Sequence, residues 1–180
     1  MQLIAFRNAF QAYPTLWDKY AERLNATGDL DPEALKTTWV SMPDWIAITH
    51  EMVADVGPST VYTIGKKITE RAMVPPEIDS AAAVLMGMDV AFHMNHRREG
   101  VVMFDPQTGT MLDGIGHYQC ELHADGNAAT MTCSTPYPCE MDRGILAGFA
   151  SRFEPAVSVS HASSTCRKKG DPSCVYLVQW

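Results

Sequence analysis

Apolar positions recur with a helical period in the first half of the chain and alternate, strand-like, in much of the second. Trp17, Tyr20 and Leu24 fall at helical spacing. Residues 2 to 26 therefore predict one or two helices, broken around Tyr13-Pro14, with Thr15 as an N-cap. Asp31-Pro32-Glu33 predicts a further helix start, with Asp as cap and Pro in the first position. A helix entered through Ser41-Met-Pro-Asp44 runs to about Val56 and stops at Gly57-Pro58. Over 60–73, Val61, Ile64, Ile68 and Ala72 form an apolar stripe that leaves Lys66, Lys67, Glu70 and Arg71 outside it. Val74-Pro75-Pro76 ends that helix, and Asp79 or Ser80 caps the next, over about 80–96.

After Gly100 the texture turns to β. Val101–Phe104 predicts one short strand, and Gly116–Leu122 with Ala128–Cys133 a hairpin across Asp125-Gly126. Met141, Ile145, Phe149 and Phe153, each four apart, mark a helix over about 140–153. Strands follow at 156–161 and 173–179. A block of helices followed by β-β-β-α-β-β implies an α+β fold. Its N-terminal helices pack on an antiparallel sheet of four or five strands. The chain predicts a single domain, residues 1–180, with a helical part to about 98 and a sheet-plus-helix part from about 99.

Composition narrows the function mainly by exclusion. Hydrophobic residues make up 46% and charged residues 19% of 180, which suits a globular core and excludes a disordered chain. A net charge of −7 carries none of the basic footprint of a nucleic-acid binder. Lys66-Lys67, Arg97-Arg98 and Arg167-Lys168-Lys169 read as short solvated spots. The apolar N-terminal run is broken at Arg7 and lacks a cleavage signal. No stretch approaches the roughly 20 apolar residues of a membrane span. A soluble, cytoplasmic location is expected, where thiols stay reduced. Nucleophile elbow, phosphate loop and dinucleotide fingerprint are missing. Gly114-Ile-Gly116 reads as a bend into the hairpin. His117, Gln119, Glu121 and His123 alternate along its wet face.

The richest chemistry lies late in the chain. Cys166 and Cys174 are eight positions apart around Gly170-Asp171-Pro172, a turn that brings the two sulfurs back towards each other. Cys139 precedes the 140–153 helix and needs only a compact return of the chain to join them. Three convergent thiols in a reducing compartment point to a metal site, with free buried thiols or a Cys166–Cys174 disulfide as the alternatives. Cys120 and Cys133 suit apolar strand faces.

A Cys before a helix, then a Cys-x7-Cys hairpin with Gly-Asp-Pro near its middle, resembles the vinyl-4-reductase-type small-molecule-binding domain. That family shares a fold with the TRAPP vesicle-tethering subunits and, more remotely, with haem-based nitric-oxide sensors. The resemblance covers roughly the last 50 residues. It implies a structural zinc on Cys139, Cys166 and Cys174. The family's acidic fourth ligand is Ser163 here, and His161 is the nearest substitute. It further implies a ligand cavity between helices and sheet, drawing on Trp39, Trp45, Met86, Phe92, His93, His96 and Tyr118, and a homodimer paired through helices. Eleven Met suit a cavity for irregular apolar ligands.

Asp89, His93 and His96 fall at i, i+4 and i+7, on one helix face. Such a set can ligate a metal or, through one His, a haem iron; the plainer reading is the polar edge of an amphipathic helix. The Tyr-x-Ser-x-Arg stretch that holds haem propionates in the nitric-oxide sensors is absent. The leading expectation is a non-enzymatic sensor or carrier for an apolar, aromatic or tetrapyrrole ligand, with a structural zinc. The rival is a haem- or metal-dependent protein or enzyme using Asp89, His93 and His96.

Overall fold

Proline opens the first two described helices, where its missing N–H costs no hydrogen bond. Helix α1 spans Pro14–Ala21 and α2 Met42–Val56, with Pro14 and Pro43 in their first turns. The computed structural model describes residues 10, 13–24, 38–70 and 72–180; the helix start expected at Asp31-Pro32 lies outside them. Gly57, at φ 81°, ends α2 in a conformation that few other residues adopt. Helix α3, Pro58–Glu70, follows at once. Arg152 donates from Nη1 to the carbonyls of Thr69 (3.1 Å) and Ala72 (2.6 Å), satisfying acceptors freed at its C-terminus.

The single helix expected over 80–96 is two. Ser80 Oγ accepts from the Ala83 N–H at 3.2 Å and starts α4, Ala81–Met86; α5 is Met88–Met94. They meet at Gly87, the residue type with the highest entropic cost in a helix apart from proline. The strand expected at Val101–Phe104 is divided as well. Glu99 (φ 53°) and Gly100 (φ 84°) reverse the chain between β1, Arg97–Arg98, and β2, Val101–Val102. A second small hairpin pairs β3, Phe104–Asp105, with β4, Thr110–Met111. Met103, between the two, is fully buried and anchors both.

The main sheet is antiparallel throughout. Its strands are β5 (Tyr118–Leu122), β6 (Ala128–Cys133), β7 (Ser158–His161) and β8 (Cys174–Gln179), in the order β5-β6-β8-β7. Ala129, Met131 and Cys133 of β6 alternate inward beside Cys174, Tyr176 and Val178 of β8, giving the sheet one apolar face. Helix α6, Cys139–Ala150, separates β6 from β7. Against it packs α3, at very close range. A Cβ on Gly144 would overlap the Tyr62 carbonyl, and one on Gly65 the Met141 carbonyl; Gly148 faces Thr69 just as tightly. The α+β class expected from the sequence is what these six helices and the antiparallel sheet form. Among the described residues no helix is long and apolar enough to cross a membrane.

Candidate functional site

The C-terminal ribbon folds back on the start of α6. Asp171 Oδ2 accepts the Cys166 N–H at 2.7 Å, and Gly170 takes the left-handed φ of 89° that closes the turn. A 3-10 turn, Arg167–Lys169, sits between. The result brings Cys139 Sγ to 3.2 Å from Cys174 Sγ and 3.7 Å from Cys166 Sγ, with 3.9 Å between the last two. These separations are far longer than a disulfide bond of about 2 Å, and all five cysteines are free. Burial holds the Cys139 thiol well above its usual pKa, helped by its neighbour Cys174. Burial works against ionising Cys174 too, yet the Arg167 N–H and the neighbouring Cys139, His161 and Tyr176 side chains draw its pKa below the usual value. His161 thus acts on Cys174 from the neighbouring strand, while its ring stacks edge-on against Tyr176 at 5.3 Å. It is outside the group of three sulfurs that lie within 4.8 Å of one another.

Next to the sulfurs is a buried ionic network. Asp142, fully buried in the first turn of α6, accepts from Tyr118 Oη (2.5 Å), from Thr135 Oγ1 (2.9 Å) and from Arg167 Nη2. Burial raises the Asp142 pKa, opposed by the Arg167 charge and these hydrogen bonds. Arg167 also donates to the carbonyls of Thr135 and Tyr137. Lys168, the next residue, pairs with Glu140, two positions before Asp142. A stretch that read as a solvated basic spot therefore docks the ribbon onto α6.

On the other flank, α5 meets the start of β5. Asp89 Oδ1 accepts the Tyr118 N–H and Oδ2 faces His117 Nδ1, both at 2.9 Å. His93, fully buried, donates from Nδ1 to the Asp89 carbonyl oxygen at 2.8 Å and has no partner on Nε2. Donor atoms of Asp89, His93 and His117 lie within 4.8 Å of one another. His96, the third member expected from helical spacing, is elsewhere. Its Nδ1 donates to the Phe92 carbonyl at 2.5 Å and its Nε2 accepts from Tyr137 Oη at 2.9 Å. Burial lowers its pKa to about 4, so the ring is neutral at pH 7. The helix stops at Met94, so the i+7 position no longer shares the face. His117 supplies the third group instead, which strand alternation had assigned to the wet face.

His96 also lines a cavity of about 640 Å³, with Trp39, Val40, Met42, Met103 and Ile115 as apolar walls and Arg97 and Arg98 at its edge. The Arg97 guanidinium lies 3.9 Å from the centre of the Trp39 ring. Of the seven lining residues expected, Trp39 and His96 are here. Trp45, Phe92, His93 and Tyr118 are buried in packed core, and Met86 is 61% exposed. Phe92 alone makes ring contacts with His96, Tyr118 and Tyr137 at 4.4–6.0 Å, which fills the space between α5 and the sheet. Arg97 and Arg98 were visible in sequence only as a charge pair; in the structure Arg97 lies over Trp39 while Arg98 Nη1 donates to the Asp113 carbonyl at 3.2 Å.

No family model and no curated protein matches the sequence. Solved structures match it over almost its whole length. The H-NOX protein from S. oneidensis in the Fe(II)NO ligation state shares 16% identity, covers 99% of this chain and 98% of its own, and superposes with a TM-score of 0.67. The fold is that of the H-NOX domain. An H-NOX structure concerned with haem distortion covers 100% of this chain and 95% of its own at 13% identity, TM-score 0.65. The IWP-051-bound H-NOX from Shewanella woodyi covers 99% and 94% at 15% identity, TM-score 0.59. These H-NOX structures support the nitric-oxide-sensor side of the sequence resemblance and do not carry the vinyl-4-reductase or TRAPP names.

Proposed function

We propose that this chain is a non-enzymatic sensor or carrier domain on the H-NOX fold. Its ligand is a small apolar, aromatic or tetrapyrrole molecule bearing an anionic group, held in the cavity under Trp39. The cavity is the observation that carries the reading. At about 640 Å³ it is of the size that ordinary ligand sites have, roughly 300–1,000 Å³. Its walls are apolar, and two guanidinium groups at the edge match a carboxylate. Arg97 over Trp39 pre-forms a cationic, aromatic surface on which a flat ligand can stack.

Haem is the group the H-NOX fold brings to mind, and the residues here do not fit it. The imidazole on the cavity wall, His96, has both nitrogens engaged. The imidazole with a free nitrogen, His93, does not line the cavity. The Tyr-x-Ser-x-Arg stretch is missing from the sequence.

A structural zinc on Cys139, Cys166 and Cys174 belongs to the same proposal. Tetrahedral zinc–sulfur bonds of about 2.3 Å set sulfurs about 3.8 Å apart, and the three separations here are 3.2, 3.7 and 3.9 Å. His161, on the neighbouring strand β7, is the fourth ligand in this reading. A closed site of this kind stabilises the ribbon and performs no chemistry.

The test of the ligand site is titration with an aromatic anion, 1-anilinonaphthalene-8-sulfonate, followed by its fluorescence and by quenching of tryptophan emission. The Arg97→Ala/Arg98→Ala variant is expected to bind at least 10-fold more weakly and Trp39→Ala to lose the response. Equal binding by both variants would overturn the reading. A stoichiometric Soret band in the protein as purified would narrow the ligand class to a tetrapyrrole, and one equivalent of iron with it would overturn the exclusion of haem.

A further inference from the structure

We infer that Asp89, His93 and His117 form a second metal site, separate from the cysteines, for a divalent first-row transition ion. One carboxylate and two imidazoles, with donor atoms within 4.8 Å of one another, are the ligand set that holds such ions and leaves coordination positions open. His93 is prepared for the role. Its Nδ1–H is committed to the Asp89 carbonyl, which fixes the tautomer and leaves the Nε2 lone pair buried and without a partner. A buried nitrogen of that kind costs free energy unless something fills it.

His117 is oriented in the manner of metal-bound imidazoles, whose second nitrogen is held by a carboxylate. Its Nδ1 faces Asp89 Oδ2 at 2.9 Å, and its Nε2 lies 3.3 Å from Asp113 Oδ1. The His93 and His117 rings lie 5.0 Å apart at 30°. Asp89 keeps Oδ1 on the Tyr118 N–H, and the ion displaces the proton shared between Oδ2 and His117 Nδ1. Access is open on one side, since Asp89 and His117 are each partly exposed at 22% and 29% while His93 is fully buried. The site draws on no residue of the cysteine cluster and on none that lines the Trp39 cavity, so it stands or falls independently of both.

The experiment is cobalt(II) titration of the intact, metal-stripped protein under reducing conditions. Wild type is expected to take up two equivalents. One carries the intense sulfur-to-cobalt charge-transfer absorption of a thiolate site, and the other only weak ligand-field bands. His117→Ala and Asp89→Asn each remove the second equivalent and retain the first. Asn preserves the acceptor for the Tyr118 N–H, so its loss of binding is not a folding effect, and circular dichroism checks this. Asp113→Asn weakens the second equivalent by about 10- to 100-fold, the range seen when an outer carboxylate is removed. Uptake of thiolate-bound cobalt alone by wild type, or a sulfur-free equivalent that survives in His117→Ala, would overturn the inference.

Discussion

The sulfur of Cys139, the first residue of α6, lies 3.2 Å from the sulfur of Cys174, the first residue of β8. Two elements 35 residues apart in sequence meet at their starting residues there, and Cys166 closes the triangle. Metal analysis of the purified protein is expected to give one thiolate-bound zinc per chain, absent from Cys166→Ser. Chelation should lower the Tm of wild type by more than that of the Cys166→Ser variant, which keeps only the cysteine-independent site. Cys120→Ser, half-buried midway along β5 and apart from the three sulfurs, should keep the zinc and its response to chelation.

Acid should weaken the fold through His96. Its folded pKa of about 4 is below the ordinary 6.5, so between these values the unfolded chain binds the extra proton. Stability contributed by the neutral buried ring is complete above pH 6.5 and falls as the pH drops towards 4. The loss reaches about 3 kcal/mol for a shift of this size. Urea unfolding at pH 7 and pH 4.5 checks the sign: His96→Gln should flatten the dependence, and a variant with the wild-type slope would refute it.

Gly144 should tolerate no side chain. Gly144→Ala forces a methyl group into the Tyr62 carbonyl, and overpacking costs about 1–3 kcal/mol. Gly126→Ala has open space around it but a φ of 74°, so its cost is strain alone, about 1–2 kcal/mol. Thermal denaturation of the pair separates contact from strain, because pairing Gly144→Ala with a smaller residue at Tyr62 should not rescue a backbone clash.

Removing one partner of the Asp142–Arg167 pair should be more damaging than removing both. Asp142→Ala strands a buried guanidinium, at a cost of about 3–5 kcal/mol. Asp142→Leu with Arg167→Met is expected to recover at least half of that. Chemical denaturation of the single and double variants decides it, and additive losses would show that the two residues do not act as a pair.

The sequence conveyed the helix–sheet order, the β5–β6 hairpin and the cysteine triangle, because each rests on local signals: periodicity, an Asp-Gly turn, a Gly-Asp-Pro turn. What it hid depends on tertiary geometry. The metal-like trio could be read from helical spacing only as Asp89, His93 and His96, since nothing local shows that α5 ends at Met94 or that β5 begins beside it. Arg167 looked solvated because a charged residue in a turn usually is, and its partner Asp142 is 25 positions away. The cavity edge at Arg97-Arg98 needed the positive φ of Glu99, which no propensity favours. The close approach of α3 and α6 does leave a mark in the sequence, Gly144-x3-Gly148, two small residues on one helix face.

Strand β8 is the last of the four to be synthesised, yet it is sandwiched between β6 and β7. Until residue 179 has left the ribosome, β7 has no neighbour to bond and β6 presents a bare flank. The nascent chain must therefore keep the open flank of β6 waiting from residue 133 until residue 179 has emerged. Helix α4, which precedes β5 and packs on both β5 and β6, is the part positioned to shelter it meanwhile.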